Sequence, residues 1–329
     1  MSDPLDITDK NRLLSLLAAS DRGDTRAINE AEMATSLRSR VRGQDHLIED
    51  LCRLIRSQWM KERRSKPIAN ILFLGPTGTG KTELCKALTG YLYDNEKSML
   101  RIDCGELSGP EGKTRLIGTP TGYVGSDAGG HLTRPILNNP KQVVVFDEIE
   151  KAWSGVFDLF LSLMGDGRLT EQGSGRVADF TQSIVVLTSN AEHEAVGKIQ
   201  NDISDPHERT DAVKKHLRDH KVFRAEIIGR IDRIYVFRPL TGITLAEIAA
   251  LKMQNLAQQY RLNLAYVSPE LILDAMTKGS NLKDFGAREL DRVVDEMLAD
   301  AMLQAKQDGA TKIMIRGAAD GSLIVDSVQ

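Results

Sequence analysis

The stretch GPTGTGKT at positions 75–82 constrains the fold of this chain more than any other. It follows NILFLG (70–75), a nearly continuous apolar run that ends in glycine, as expected of a buried parallel strand. It precedes TELCKALTGYL, whose apolar residues have helical spacing. A glycine-rich loop between a strand and a helix turns backbone N–H groups toward a phosphate. The sequence therefore predicts a phosphate-binding loop inside a strand–loop–helix unit.

Strands and helices alternate through most of the remaining chain. Apolar helical segments such as FDLFLSLM lie between the runs that predict strands. Alternation of this kind predicts an α/β fold, with a parallel sheet covered by helices on both faces. The further predicted strands are SMLRID (98–103), KQVVVFDE (141–148), QSIVVLTSN (182–190) and DRIYVFRPL (232–240).

The chain divides into three predicted segments. Residues 1–40 contain two amphipathic patterns, NRLLSLLAAS and INEAEMATSL, and predict an N-terminal helical extension. Residues 41–240 form the predicted large α/β domain, which ends near RPLTG. Residues 241–329 contain three helical patterns and end in the short strands KIMIR and SLIVD, which predicts a small, mostly helical lid domain.

Composition excludes several classes of protein. The net charge of -3 argues against a general nucleic-acid binder, which normally has a basic excess. The three cysteines are scattered, which favours free thiols in a reducing compartment. No apolar run approaches the roughly 20 residues needed to span a bilayer. With the polar start MSDPLDITDK, this predicts a cytoplasmic protein without membrane insertion.

Two acidic residues end the predicted strand in VVVFDE (143–148). Downstream of a phosphate loop, Asp147 is expected to hold Mg²⁺ through water, and Glu148 to polarise the water that attacks the γ-phosphate. Lys81 would neutralise phosphate charge, and the Thr82 hydroxyl would bind Mg²⁺. No guanine-recognition signature is present, so the sequence favours ATP with Mg²⁺. The predicted phosphate-loop residues are Gly75, Pro76, Thr77, Gly78, Thr79, Gly80, Lys81 and Thr82.

Three polar residues have two interpretations each. Asn190 ends a predicted strand, where its amide either orients the attacking water or caps the following helix. Arg288, in FGAREL, either reaches back to the γ-phosphate or is a surface arginine. Arg230, in IIGRID, either forms an ordinary ion pair or acts across a subunit boundary as an arginine finger.

The stretch GTPTGYVGSDAGG (118–130) places Tyr123 and Val124 between Gly122 and Gly125. A run so rich in glycine and threonine predicts a mobile surface loop, although large aromatic side chains are usually buried. An exposed tyrosine grips an extended polypeptide through contact area and stacking, without reading sequence. The alternative is that Tyr123 lies in a subunit interface and supports assembly.

The motifs GPTGTGKT, GYVG, VVVFDEIEKA, GRLT, TSN, GRID, VFRPL and FGAR, in this order, resemble the AAA+ ATPases of the Clp class. The resemblance covers roughly residues 38 to 329, and the most similar part of those proteins is the second ATPase module of ClpB and ClpA. It implies Walker A for Lys81 and Thr82, Walker B for Asp147 and Glu148, sensor one for Asn190, the trans arginine finger for Arg230 and sensor two for Arg288.

The resemblance also implies an assembly. Such proteins form hexameric rings with one ATP site at each subunit boundary, and Tyr123 falls on the pore loop that grips polypeptide clients. GRLTEQGSGRVADF (167–180) is similar to a second, lower loop near the channel, and RVRGQD, with Val41, to the segment beside the adenine. The resemblance extends to one ATPase module, and residues 1–40 resemble neither the N-terminal domain nor the coiled-coil middle domain of ClpB.

These observations favour an ATP-driven protein unfoldase or remodelling motor that threads polypeptide through a ring pore. A ClpP peptidase partner is not expected, because AVGKIQ (195–200) has Lys198 where the docking tripeptide needs an apolar anchor. The alternatives are an unfoldase serving a separate peptidase or a secretion machine, and a nucleotide switch on a nucleic-acid-associated complex. An exposed aromatic also stacks on bases, but the acidic net charge favours a protein client.

Overall fold

The computed structural model describes residues 27–220, 222–278, 287–317 and 323–327. Its strands, in chain order, are β1 (Ala69–Leu74), β2 (Met99–Asp103), β3 (Val143–Asp147), β4 (Arg168–Thr170), β5 (Val177–Asp179), β6 (Ile184–Ser189), β7 (Arg233–Val236), β8 (Asn263–Val267), β9 (Lys312–Gly317) and β10 (Leu323–Ser327).

Apart from short 3₁₀ turns, the described part of the chain is otherwise helical or irregular. The α-helices are Glu30–Arg40, Asp45–Trp59, Lys81–Tyr93, Glu111–Ile117, Thr133–Asn138, Phe157–Asp166, His193–Asp202, Pro206–Asp219, Ala225–Arg230, Gly242–Gln259, Pro269–Lys278 and Ala287–Gln307. None of these helices is both long enough and apolar enough to cross a membrane.

Five strands form one parallel sheet in the order β2-β3-β6-β1-β7. All side chains of β1, β3 and β6 are buried, because helices cover both faces of the sheet. The register pairs Leu74 with Ser189 and Asp103 with Asp147, so these strands end at a common edge. The phosphate loop, the acids after β3 and the residues after β6 therefore meet there.

Each face of the sheet has its own apolar layer. On one face Phe146 packs on Phe160 with ring centroids 4.6 Å apart, and on the other Phe73 packs on Phe237 at 5.2 Å. Burial of such large apolar surfaces is the main favourable term in folding. The predicted α/β class, a parallel sheet between helices with a helical lid, is confirmed.

The helix Glu30–Arg40 packs against the large domain. Asn29 caps it by accepting hydrogen bonds from its first backbone N–H groups, and basic residues lie in its last turn. Met33 and Leu37 are fully buried in the same apolar layer as Leu51 and Leu88. The described part of the predicted extension therefore shares the core, while NRLLSLLAAS lies outside the described residues. The predicted domain boundaries stay predictions.

In its described residues, the C-terminal segment combines three helices with a three-stranded sheet in the order β10-β9-β8. KIMIR and SLIVD form β9 and β10, as predicted, and they pair antiparallel. The strand β8, which the sequence did not predict, pairs parallel with β9. Its residues are half-buried or exposed and show no clear alternation, so the strand depends on its neighbour more than on its own sequence.

Candidate nucleotide-binding site and loop surface

A cleft of about 650 Å³ opens at the carboxyl edge of the parallel sheet. Clefts at this edge are the usual ligand sites of open α/β sheets. The predicted site residues that line it are Val41, Thr77, Gly78, Thr79, Gly80, Lys81, Thr82, Asp147, Glu148, Asn190 and Arg288. Gly75 and Pro76 precede them in the phosphate loop, whereas Arg230 is outside this lining.

Close packing explains why the phosphate loop begins with glycine. Gly75 has φ +146°, and a Cβ built there would lie 2.7 Å from the carbonyl oxygen of Phe237. Any other residue would therefore push the loop away from the end of β7. From this fixed point the loop leads into the helix Lys81–Tyr93, whose N-terminal N–H groups face the cleft and favour an anion.

The Lys81 ammonium lies within the phosphate loop. Its Nζ donates hydrogen bonds to the carbonyl oxygens of Gly75 at 2.6 Å and Pro76 at 2.8 Å. Burial lowers the pKa of Lys81 to about 8, against the opposing influence of the nearby Asp147 carboxylate. The loop thus holds a partly desolvated cation, which increases its attraction for phosphate oxygens.

The Asp147 carboxylate is buried at the end of β3 and has two partners that the sequence analysis did not identify. Arg101, on β2, donates to Oδ2 from Nε at 2.9 Å and from Nη2 at 2.6 Å. The Thr188 hydroxyl, on β6, donates to Oδ1. The signal that could have found them is the strand order, because β2 and β6 flank β3 in the sheet.

Glu148 has an unusual backbone conformation. Its φ of 56° and ψ of 54° lie in the left-handed region, which is uncommon for residues other than glycine. Its backbone N–H donates to the Thr188 hydroxyl oxygen at 3.1 Å, and its Oε2 accepts from Lys151 Nζ at 2.5 Å. Thr188 therefore joins both acids, and it holds the turn that aims Glu148 at the cleft.

Replacement of Thr188 by valine should lower the free energy of unfolding. Valine keeps the shape of threonine but leaves the Asp147 oxygen and the Glu148 N–H without this partner, which costs about 1–3 kcal/mol for buried groups. Equilibrium urea unfolding measures the change. Thr188→Ser, which keeps the hydroxyl, is the control and should lose less. A valine variant as stable as the wild type would contradict the bridging role.

Asn190 directly follows β6 and lines the cleft. Its backbone N–H donates to Glu150 Oε1 at 3.3 Å, which ties it to the turn after Glu148. The helix that follows begins at His193, and its N-cap residue is Glu192, so Asn190 is not that cap. Of the two interpretations of Asn190, the geometry favours the one that faces the cleft.

The lid domain contributes the start of its last helix to the cleft. The backbone N–H of Ala287 donates to the carbonyl oxygen of Gly78 at 3.1 Å, so this helix touches the phosphate loop directly. Arg288 follows, exposed and lining the cleft. Its positive charge contributes to the lowered pKa of Lys81, as expected of two cations that face the same space.

Arg230 is exposed at the last residue of the helix Ala225–Arg230, outside the cleft of its own chain. Its backbone carbonyl accepts from Asn70 Nδ2 at 3.2 Å, which anchors the end of the helix to β1. No ion pair holds the Arg230 side chain among the residues that the structure describes. The guanidinium packs over Gly165, since a Cβ built on that glycine would meet it, and the Arg230 side chain remains exposed.

The oxygen ligands present suit Mg²⁺ held together with a nucleotide. In the described residues, no group of three or more His, Cys, Asp or Glu side chains could hold a metal on protein ligands alone. The cleft does offer the Thr82 hydroxyl and the Asp147 carboxylate. One or two protein ligands, completed by phosphate oxygens and water, are typical of Mg²⁺ in nucleotide sites.

Part of the cleft lining is apolar. Val41 lies there with Leu240 and Ile248. The buried Gln44 side chain fixes this wall, because it donates to the Arg238 carbonyl oxygen at 2.9 Å and accepts from the Arg238 N–H at 3.0 Å. An apolar wall of this kind suits a flat nucleobase.

A second feature lies outside the cleft. We call residues 122–125 the loop surface: Tyr123 is 69% exposed and Val124 is fully exposed, between Gly122 and Gly125. The two glycines have φ of 94° and 88°, which other residues adopt only with strain. The two apolar side chains are therefore presented to solvent by a backbone that requires glycine on either side.

The loop surface is tied to the hairpin of β4 and β5. The Thr121 hydroxyl donates to the carbonyl oxygen of Gly173 at 3.0 Å. The buried Glu171 accepts from the Gly130 N–H at 3.2 Å and from the Thr133 hydroxyl at 3.3 Å, at the far end of the same loop. The predicted lower loop, 167–180, is thus a short hairpin joined to both ends of the loop that carries Tyr123.

These features define a phosphate-loop nucleotide-binding domain with an attached helical lid. The family model for the AAA domain (Cdc48 subfamily) matches residues 66–234. The chain therefore belongs to the AAA family.

Individual relatives extend this similarity to almost the whole chain. Chaperone protein ClpB 1 of Thermosynechococcus vestitus is 38% identical over 273 residues, which cover 82% of this chain and 31% of the relative. ClpB of Rhodopirellula baltica is 36% identical over 289 residues, covering 86% and 32%. ClpB of Pseudomonas putida is 37% identical over 279 residues, covering 83% and 32%. The predicted resemblance to Clp-class AAA+ ATPases is confirmed, although the chain spans about a third of the length of these relatives.

Proposed function

We propose that this chain is an ATP-driven protein remodelling motor that works as a ring. The observation that carries the proposal is the exposed Tyr123–Val124 pair. The loop that carries this pair is held by a hydrogen bond from Thr121 to Gly173. The relatives are chaperones by name, which supports a polypeptide client. Exposed apolar side chains on a moving loop can grip a chain of any sequence.

The cleft residues have separate tasks in hydrolysis. Lys81 would bind β- and γ-phosphate oxygens, and Thr82, with Asp147 acting through water, would hold Mg²⁺, which would supply positive charge beside the phosphates. Glu148 accepts the proton of the attacking water, and its turn is fixed by Thr188. Asn190 orients that water from the adjacent strand end.

The positions of Arg288 and Arg230 are the basis for the proposed ring. Arg288 enters the cleft of its own chain from the lid, whereas Arg230 lies exposed outside it. We propose that Arg230 completes the site of an adjacent subunit, as an arginine finger. The site at each boundary then requires two subunits, and a closed hexamer gives every subunit a partner on both sides.

Tyr123→Ala tests the proposed grip. The variant should form rings and hydrolyse ATP at the basal rate, but lose unfolding of a client and the stimulation of hydrolysis by that client. The cause is loss of the contact area that transmits force, with the cleft unchanged. Unfolding of a fluorescent client protein with an unstructured tail, measured with ATP, gives the readout.

Tyr266 provides a matched control, because it is a second exposed tyrosine, on β8 of the lid. Tyr266→Ala should leave client unfolding at the wild-type rate. If Tyr123→Ala instead breaks the rings and lowers basal hydrolysis, then Tyr123 supports assembly and does not grip. Full unfolding by this variant would contradict the proposal as well.

Partners and location remain predictions. The segment 195–200, which carries Lys198, lies within the helix His193–Asp202, so it differs from a flexible docking loop. Cys52, Cys85 and Cys104 are free and buried, and burial raises the pKa of each thiol. Free thiols of this kind support the proposed cytoplasmic location.

A further inference from the structure

Arg42 differs from Arg40, another arginine of the cleft, in its hydrogen bonding. Its Nε–H is buried and has no hydrogen-bond partner, and Arg42 forms no ion pair with any residue that the structure describes. By contrast, Arg40, which also lines the cleft, pairs with Glu83 and Glu96. A buried donor without a partner is rare, because it loses its hydrogen bonds to water and gains none in return.

The position of Arg42 indicates what it faces. It lines the cleft beside Val41, on the segment that the Gln44 side chain bonds to Arg238. The apolar side chain of Leu240 lines the cleft as well. The groups expected to bind phosphate and Mg²⁺ lie in the phosphate loop and at the end of β3, so the base of a bound nucleotide is the part that reaches Arg42.

We propose that Arg42 is a base-recognition residue, whose guanidinium donates a hydrogen bond to a ring nitrogen of a bound purine. The guanidinium group has only donors, so it pairs with acceptors and not with the amino group of adenine. Purines present unprotonated ring nitrogens at their edges, which supply such acceptors. This inference rests on the proposed nucleotide site and adds a residue that contacts the base.

Binding of ADP and its deaza analogues to the full chain tests the contact. In 1-deaza-, 3-deaza- and 7-deaza-ADP a carbon replaces one ring nitrogen, so each analogue removes one acceptor. The wild type should bind one of the three about tenfold more weakly than ADP, since hydrogen bonds to charged groups have this effect on affinity. Arg42→Met should bind ADP and that analogue equally. Isothermal titration calorimetry gives the dissociation constants.

The matched control is Arg40→Met, the same change two residues away, at an arginine whose charge is already paired. It should keep the discrimination between ADP and the analogue. Because the Arg42 Nε–H has no partner in the free protein, Arg42→Met should not lower the thermal midpoint of unfolding. Arg42→Lys keeps the charge but loses the planar fork and should also lose discrimination.

The outcomes separate two failures. If the wild type binds ADP but binds all three analogues equally well, or if Arg42→Met discriminates as the wild type does, the base contact is wrong and the nucleotide site stands. An equal loss of affinity for ADP and all analogues in Arg42→Met would assign the arginine to the phosphates. Lys81→Ala, which lacks the phosphate-binding cation, should bind no ADP. If the wild type also bound no ADP, both the base contact and the nucleotide site would be wrong.

Discussion

Glu148→Gln is expected to bind ATP with wild-type affinity and to hydrolyse it about 10²- to 10⁴-fold more slowly. Glutamine has the shape of glutamate but cannot accept the proton of the attacking water. The groups that hold the phosphates lie elsewhere in the cleft, in the phosphate loop and at Asp147. Phosphate release under saturating ATP measures the rate, and binding of a fluorescent ATP analogue measures the affinity.

Glu150 offers a matched control, because it lies two residues further along the same turn and contacts the Asn190 backbone. Glu150→Gln keeps an oxygen that can accept from the Asn190 N–H, so hydrolysis should fall far less than in Glu148→Gln. If Glu148→Gln turned over at the normal rate, Glu148 would have no part in proton transfer. If Glu150→Gln showed the larger loss, the catalytic base would be Glu150.

Arg230→Ala is expected to bind ATP but to hydrolyse it about 10³- to 10⁵-fold more slowly once rings have formed. Arg230 lies outside the cleft of its own chain, so the proposed arginine finger places the loss in the neighbouring site. A neighbour's guanidinium stabilises charge that develops on the transferring phosphoryl group. Arg224→Ala, at an exposed arginine that precedes the same helix, is a control for general effects of losing a charge.

Mixed rings separate action in trans from action in cis. Arg230→Ala subunits lack the finger and Lys81→Ala subunits lack the phosphate cation, so each variant alone should be inactive. In mixed rings, some boundaries join an intact Lys81 site to an intact Arg230, and part of the activity should return. Native mass spectrometry must first show that the two variants share rings. No recovery in such rings would assign Arg230 to its own chain.

The sequence predicted most of the parallel sheet because its strands are apolar and bounded by glycine or acids. Each predicted strand lies within two or three residues of an observed one at its start. The phosphate loop and the acids after β3 were also predictable, since their chemistry depends on local order along the chain. The strand β8 was missed because it is half-exposed and carries no turn signal of its own.

The contacts that the sequence could not show are those between distant segments. Thr188 bonds Asp147 across 41 residues of sequence, and Gln44 bonds Arg238 across 194. The first requires the strand order β3-β6, and the second requires the first and last parts of the large domain to meet. Residue type and spacing within one motif show neither the strand order nor which distant segments meet. Only the structure could therefore identify Thr188 and Gln44 as positioning residues.

The most direct test of the proposed motor is to detect a client at the loop surface. A photoreactive phenylalanine analogue at position 123 keeps an aromatic side chain there, and illumination joins it to any polypeptide within reach. In the Glu148→Gln background with ATP, the account predicts a strong crosslink to a client protein with an unstructured tail, and little crosslink with ADP. The same analogue at position 266 should give none. A crosslink from position 123 to other subunits only, or one to client of equal strength without ATP, would contradict the claim that Tyr123 contacts a polypeptide client in the ATP-bound state.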